Sequence, residues 1–280
     1  MVEHSVIMTV YNREPDVLLA TLRSLWRSLG EGDEIIVVND GSKMKYEWVM
    51  EYAHPRFARF RWIDAPYYEA FRIAGEFNNP ARAFNIALEA ATGRDIFIMS
   101  SDVIVTPKAV QRGKSFRLDE MAWTPRVVDI ESGAEYCGTN RLFPMPWFLG
   151  CSRRHAVECG GWDEAYLDGM CWEDNDFVGR LMLHTGRFIG DWDVTVYHQS
   201  HNQPAYDVKD PEVLAANQRN KNYTKQKWAG LPFAGAEDGC FDVLRKRYET
   251  GDVVHECVAY GDTLDQVIVK TRSPFVGLAT

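Results

Sequence analysis

The sequence predicts an α/β protein built on a single Rossmann-like, mostly parallel sheet with helices on both faces. Three observations lead there. Short apolar runs alternate with amphipathic segments of helical period through the first half of the chain. The turns between them are brief, as in units that alternate strand and helix. The first, second and fourth runs each end in a polar cluster, which places a ligand rim beyond the carboxyl ends of the strands.

Ser5-Val6-Ile7-Met8-Thr9-Val10 reads as a buried strand closed by Tyr11-Asn12-Arg13. From Pro15 to Leu29, Val17, Leu18, Leu22, Leu25 and Leu29 recur at helical spacing, with Pro15 in the first turn. Glu34-Ile35-Ile36-Val37-Val38 is a second buried strand, ended by Asn39-Asp40-Gly41-Ser42, and Arg59 to Ile63 a third. A helix from Pro80 to Ala91 stops at Thr92-Gly93, and the fourth strand, Asp95 to Met99, runs into Ser100-Ser101-Asp102. Farther on, residues 120–150 read as loops with short strands. An acidic patch leads into an amphipathic helix carrying Phe177, Leu181 and Met182. Val194 to His198 is a late strand, 210–230 reads as helix, and 252–270 as two short strands or a helix-turn element.

Composition narrows the function. With 46% hydrophobic and 25% charged residues in 280, the chain has the mix of a globular protein large enough to bury a core unaided. Thirty-one Lys and Arg against 40 Asp and Glu give a net charge of −9, which disfavours non-specific binding to nucleic acid or anionic lipid. No apolar run reaches the ~20 residues of a membrane span, and the first strand begins too early to leave room for a signal peptide, so a cytoplasmic location is expected. The six cysteines show neither a CxxC pair nor zinc-finger spacing; reduced thiols are expected and a zinc site is not. Nine Trp and twelve Tyr are many for this length. Such residues line sugar- and base-binding clefts as well as filling cores. Arg219, Lys221, Lys225 and Lys227, with no acid among 219–227, read as a solvated helix face; facing a cleft instead, with Arg245-Lys246-Arg247, they would favour an anionic acceptor.

The order of these motifs resembles the family 2 glycosyltransferases, nucleotide-sugar-dependent enzymes of the A-type fold. The resemblance covers about residues 5–200. It rests on Ser5 to Glu14, Thr21-Leu22-Arg23-Ser24-Leu25, Glu34 to Ser42, Ala81-Arg82-Ala83-Phe84-Asn85 with Ala90-Ala91-Thr92-Gly93, and Gly160-Gly161-Trp162-Asp163-Glu164 followed by Trp172 to Phe177 with Arg180 and Leu181. It implies a nucleotide-sugar-binding half at 1–118, an acceptor-binding and catalytic half at 119–230, and a C-terminal extension at 231–280 serving as lid or oligomer contact.

On that resemblance Thr9, Tyr11, Arg13, Asp40, Arg82, Ser101 and Asp102 contact the donor, a UDP-sugar being favoured, with Arg82 reaching a phosphate or Asp40. Leaving diphosphates concentrate negative charge, so a divalent ion, Mn²⁺ or Mg²⁺, is the implied cofactor. Asp102 and His198 are its implied ligands, with His201 as substitute. The family's DxD motif here reads Ser100-Ser101-Asp102, with its first acid missing. Glu173 and Asp174 match the family's acidic pair: Asp174 is then the base of an inverting transfer to an acceptor hydroxyl, and Glu173 positions hydroxyls. Trp172 and Phe177 flank the pair and would raise its pKa. Trp162 and Trp172 fall on the acceptor side, and Asp176 with Arg180 supports the helix start. The acceptor itself, a glycan, a small molecule or a nucleic acid, is not legible. A retaining transferase would dispense with the acidic pair, and a non-catalytic sugar- or nucleotide-binding protein would explain the altered DxD; retention of Asp102, Asp174 and His198 together favours an enzyme.

Overall fold

The computed structural model describes residues 2–73, 77–137, 145–200 and 210–229, together with the strand backbone at 254–260 and 267–271. In chain order the elements are β1 (His4–Val10), α1 (Pro15–Trp26), β2 (Asp33–Asn39), α2 (Glu47–Ala53), β3 (Phe60–Asp64), β4 (Arg72–Ile73), β5 (Phe77–Asn78), α3 (Ala81–Ala90) and β6 (Asp95–Ser100). Then come β7 (Val103–Ile104), α4 (Pro107–Ser115), β8 (Ala122–Asp129), β9 (Glu135–Cys137), β10 (Phe148–Ser152), α5 (Arg153–Glu158), a 3₁₀ turn (Glu164–Asp168), α6 (Glu173–Thr185), β11 (Arg187–His198), α7 (Pro211–Ala229), β12 (Val254–Tyr260) and β13 (Val267–Thr271).

The main sheet runs β13-β12-β11-β8-β10-β6-β1-β2-β3, with β7 on β11 and β9 on β8. Strands β6, β1, β2 and β3 are mutually parallel, as are β8, β11 and β12. Between the two blocks β10 runs antiparallel to both neighbours. Because β8 pairs in parallel with β11 up to Asp129 and His198, the carboxyl ends of β8 and β11 share the rim formed by β1, β2 and β6. This is the mostly parallel α/β fold that the alternating segments predict. Three differences stand out. The strand expected at Val194–His198 is the end of a twelve-residue strand. The acidic patch does not precede the helix but forms its first turn, since α6 opens at Glu173. Helices α2, α4 and α5 were not foreseen, whereas Val254–Tyr260 and Val267–Thr271 form two strands, one of the two alternatives expected there. His201, Arg245 to Arg247 and most of the expected extension at 231–280 lie outside the described residues.

Period-two alternation divides the core between the faces of the sheet. Val6, Met8, Val10, Ile35, Val37, Phe97 and Met99 pack on one side with Leu18, Leu22 and Leu25 of α1 and Val110 of α4. Ile7, Ile36, Val38, Ile96 and Ile98 pack on the other with Phe84, Ala87 and Leu88 of α3 and Phe177, Leu181 and Met182 of α6. Helix α4 starts where Thr106 Oγ1 accepts from the Ala109 N–H and Pro107 takes the first position.

One buried carboxylate stitches the opposite, amino-end rim. Glu34 Oε1 accepts from Ser5 Oγ at 2.6 Å, from the Thr92 N–H at 2.6 Å, from Thr92 Oγ1 at 2.8 Å and from the Gly93 N–H at 3.2 Å. The turn must carry glycine, because a Cβ on residue 93 would come 2.6 Å from the Ser5 backbone nitrogen. Burial works against ionisation of Glu34, but the bonds from Ser5 and Thr92 prevail and hold its pKa below the usual 4.5. A lowered carboxyl pKa gives stability that is present above the unfolded value and lost as pH falls through the folded one. Glu34→Ala is expected to cost about 1–3 kcal/mol at neutral pH, the cost of orphaned buried donors. The deficit should shrink below pH 4.5, as measured by urea unfolding of both proteins across pH.

Candidate active site

Asn12 closes β1 with a left-handed backbone, φ 46°, and its Oδ1 accepts from the Lys43 N–H at 2.7 Å, tying together the turns after β1 and β2. In the second turn Asp40 is 2% exposed and already surrounded by donors. Tyr68 Oη donates to its Oδ1 at 2.6 Å, Asn78 Nδ2 donates to its Oδ2, and the Arg72 guanidinium lies 3.8 Å from Oδ1. Burial raises the Asp40 pKa, and the Tyr68 bond and the Arg72 charge oppose that rise. Arg72 also lies over the Tyr11 ring, 5.5 Å from its centroid. Arg82 reaches Glu164 at 4.0 Å and lies over Tyr68, so the guanidinium paired with Asp40 is that of Arg72.

At the end of β6, Asp102 is 1% exposed. Arg13 Nη2 approaches its Oδ2 to 3.0 Å and His198 Nε2 to 3.7 Å. His198 Nδ1 faces Asp129 Oδ2 at 3.2 Å, so the imidazole lies between two carboxylates. Its ring is held by edge contacts with Tyr136 and Trp147, centroids 5.1 and 5.0 Å away. The Ser132 N–H, with the Ser132, His198 and Ser200 side chains, holds the Asp129 carboxyl far below the ordinary range. Burial would lower the His198 pKa, but its bonds to Asp102 and Asp129 outweigh burial and raise it. A buried carboxylate and an imidazole, the latter oriented from behind by a second carboxylate, form a donor set that suits Mn²⁺ or another hard-to-borderline divalent ion. Ser101 is buried beside Asp102, and its carbonyl accepts from Thr21 Oγ1 at 3.0 Å.

The acidic pair stands at the start of α6 on a strained backbone. Cys171 and Trp172 both have left-handed conformations, φ 58° and 75°, which side chains other than glycine adopt at a cost. Glu173 is 4% exposed, and Asn79 Nδ2 donates to its Oε2 at 3.1 Å. Asp174 accepts from Trp162 Nε1 at 3.1 Å. Burial raises both carboxyl pKa values; Asp174 adds to the rise on Glu173, while the Trp162 bond moderates that on Asp174. Trp162 is 2% exposed and stacked between Phe84 and Phe177 at 4.5 and 3.8 Å, so it presents its N–H to the site rather than its ring. Trp172 is partly exposed, with Lys221 Nζ 5.7 Å from its ring. Asp174 lines a hollow together with Thr9, Ser100, Met145 and Trp147, which joins the acidic pair to the β1 and β6 rim.

Asp176, 0% exposed, holds this turn in place. Its carboxylate accepts from Arg180 Nε and Lys227 Nζ, each at 2.8 Å, and from Trp228 Nε1 at 2.8 Å. Asn220 of α7 donates to the Cys171 carbonyl at 2.8 Å and to the Tyr166 carbonyl at 3.0 Å. Lys227 therefore turns inward instead of belonging to a solvated basic face.

The fold thus brings Thr9, Ser100 and Asp174 to one hollow, and Arg13, Asp102 and His198 to one polar cluster. Asp40 and Arg82 fall in a neighbouring group around Tyr68. Sequence reasoning missed Asp129, Asn79, Tyr68, Arg72 and Trp147. Of these, Asn79, two residues ahead of α3, carried a readable turn-and-cap signal, and its Oδ1 accepts from the Ala81 N–H at 3.1 Å.

Glu173→Gln should stabilise the fold, because a raised carboxyl pKa means stability that is lost as pH rises through it. Thermal unfolding from pH 4 to 9 should show the variant's advantage growing from the ordinary carboxyl value of 4.5 upward and vanishing below it. Asp176→Asn should act oppositely, losing about 3 kcal/mol through unpaired buried partners, as read by denaturant midpoints.

Residues 5–122 match the sequence profile of "Glycosyl transferase family 2". No curated protein matches the chain significantly. Among solved structures, the fold is similar to S. aureus TarS 1-349 in complex with UDP-GlcNAc (TM-score 0.62, 12% identity, covering 81% of this chain and 66% of that one). A longer TarS structure gives a TM-score of 0.59 at 15% identity, covering 82% of this chain and 44% of that one. The mannosyltransferase PcManGT from Pyrobaculum calidifontis, in complex with GDP-Man and Mn²⁺, gives 0.54 at 13% identity, covering 98% and 66%. The chain spans less than two thirds of the length of each of these three. No helix among the described residues is long and apolar enough to cross a membrane. Residues 5–122 are thus similar in sequence to the family 2 glycosyl transferases, and this stretch holds β1, β2 and β6, whose carboxyl ends form the rim.

Proposed function

We propose that the chain transfers a sugar from a nucleotide-sugar donor, a UDP-sugar being favoured, to an acceptor hydroxyl with inversion at the anomeric carbon. The observation that carries this reading is the hollow in which Asp174 meets Thr9 and Ser100 of the β1 and β6 rim. The pair, with Glu173 buried and Asp174 partly so, is of the kind that holds a proton-accepting carboxylate near neutral pH.

In the proposed reaction Asp174 takes the proton of the acceptor hydroxyl as its oxygen attacks the anomeric carbon from the face opposite the leaving group. The bond from carbon to the diphosphate oxygen breaks, and the nucleoside diphosphate departs with the electron pair. Trp162 aims the carboxylate, and Asn79 fixes Glu173 behind it. Arg13 adds positive charge next to Asp102. Asp102 and His198 would hold a divalent ion, Mn²⁺ or Mg²⁺, which when bound neutralises charge on the diphosphate. Asp129 orients the imidazole for that purpose. Tyr11 and the Asp40 group would border the base and ribose, with Arg82 nearby at Tyr68.

Asp174→Asn is expected to lower kcat by about 10²–10⁴-fold with little change in donor affinity, checked by steady-state kinetics and calorimetry with UDP. The wild-type kcat should fall on the acid side as Asp174 is protonated. UDP should raise Tm more with Mn²⁺ than with EDTA, GDP less so, and Asp102→Ala should remove the metal-dependent gain. Near-normal turnover of Asp174→Asn, or a product anomer that NMR shows to retain the donor configuration, overturns the inverting assignment.

A further inference from the structure

On the rim opposite the acidic pair, two imidazoles and a carboxylate converge. Strand β10 runs antiparallel to β6, so Ser152 pairs with Asp95 at the amino end of β6, and α5 begins there with His155. Helix α6 starts at the carboxyl rim and delivers His184 one residue before its end. Glu173 and His184 are therefore roughly 16 Å apart along the helix axis at 1.5 Å per residue. His155 and Glu158 stand three apart on α5, on one helical face. The ligand atoms of His155, Glu158 and His184 lie within 4.8 Å of one another.

We propose that His155, Glu158 and His184 form a second divalent-metal site, suited to Zn²⁺. The first support is His155 itself. It is 8% exposed, and its Nε2 donates to the Asp119 carbonyl at 2.8 Å. That bond leaves Nδ1 as the atom bearing the lone pair, and Nδ1 is buried without a hydrogen-bond partner. A backbone carbonyl behind one ring nitrogen is the arrangement that orients histidine ligands of metals. The second support is spacing. His184 Nε2 and Glu158 Oε2 are 3.2 Å apart, close to the about 3.3 Å that separates two tetrahedral ligands of an ion held at ~2 Å. The His155 and His184 rings meet edge to face, centroids 5.1 Å apart, and small rotations of the partly exposed His184 and exposed Glu158 bring the set together.

Two imidazoles and one carboxylate favour Zn²⁺ over Mg²⁺ or Ca²⁺, which prefer all-oxygen shells. The fourth position faces solvent, because Glu158 and His184 lie at the surface. Bound there, an ion would clip α5 to the carboxyl end of α6. It would work independently of the site at Asp102, which lies at the other rim.

Calorimetry and thermal unfolding of the metal-stripped full chain with Zn²⁺ test the proposal, using Asp102→Ala as background to remove the other divalent site. The expected result is one saturable Zn²⁺ site that raises Tm. His184→Ala should abolish the Zn²⁺-dependent shift, and Glu158→Gln should weaken binding at least 10-fold, both with the metal-free Tm retained. Co²⁺ in place of Zn²⁺ should give visible absorption bands that His184→Ala removes. His155 is buried, so His155→Ala is not needed for the test. An unchanged Zn²⁺ shift in His184→Ala and Glu158→Gln, or no saturable binding, overturns the site and leaves a plain His184–Glu158 ion pair.

Discussion

The arrangement of the candidate site depends on the carboxylate of Asp176, which is fully shut off from solvent in the first turn of α6. An unpaired charge there would be costly, and three donors from two helices meet it: Arg180 from its own helix, and Lys227 and Trp228 from α7. Arg180 extends the network by donating to the Cys159 and Gly161 carbonyls. The loop before the 3₁₀ turn, the start of α6 and the last turn of α7 are thereby locked together. That lock, with Asn220 bonded to the Cys171 carbonyl, flanks the left-handed Cys171 and Trp172, the turn from which Glu173 and Asp174 project.

Along the rim, carboxylates of the same chemistry are driven in opposite directions by their surroundings. Asp129 is surrounded by donors and held ionised, and it passes that charge to the back of the His198 ring. Glu173 and Asp174 have one side-chain donor each and crowd one another, so their protons are held more tightly. A carboxylate with fixed negative charge thus stands on the same rim as two carboxyls that keep their protons to higher pH. Such separation would let one scaffold assign anchoring and proton transfer to different acids, as the proposed reaction requires.

Much of the parallel half was legible because its signals are local. Buried strands read as continuous apolar runs, Pro15 marked the start of α1, and Thr92-Gly93 marked the end of α3. Helix α4 had a readable start in Thr106-Pro107, but Lys108, Gln111, Arg112 and Lys114 dilute its apolar face to Ala109 and Val110. The polar clusters after β1, β2 and β6 converge because three parallel strands end in register, which the pattern of elements does imply. Asp129 could not be found that way. Its link to His198 spans 69 positions and depends on the parallel pairing of β8 with β11 across the sheet. Arg72 and Tyr68 were hidden for the same reason, since their partner Asp40 is near only in space. The inward turn of Lys227 needed the position of α7, which no periodicity reveals.

The last turn of α7 has a consequence for the motions of the protein. Helix ends ordinarily fray first, and amide exchange there is fast. Here the terminal turn carries Lys227 and Trp228, the latter 1% exposed and bonded to Asp176. Opening of that turn would free the start of α6 along with it, so the exchange of the Glu173 and Asp174 amides should follow the opening of α7 rather than global unfolding. The geometry of the acidic pair and the end of a helix more than fifty residues away in sequence would then form one cooperative unit, and how often that unit opens would set how long Glu173 and Asp174 stay in place.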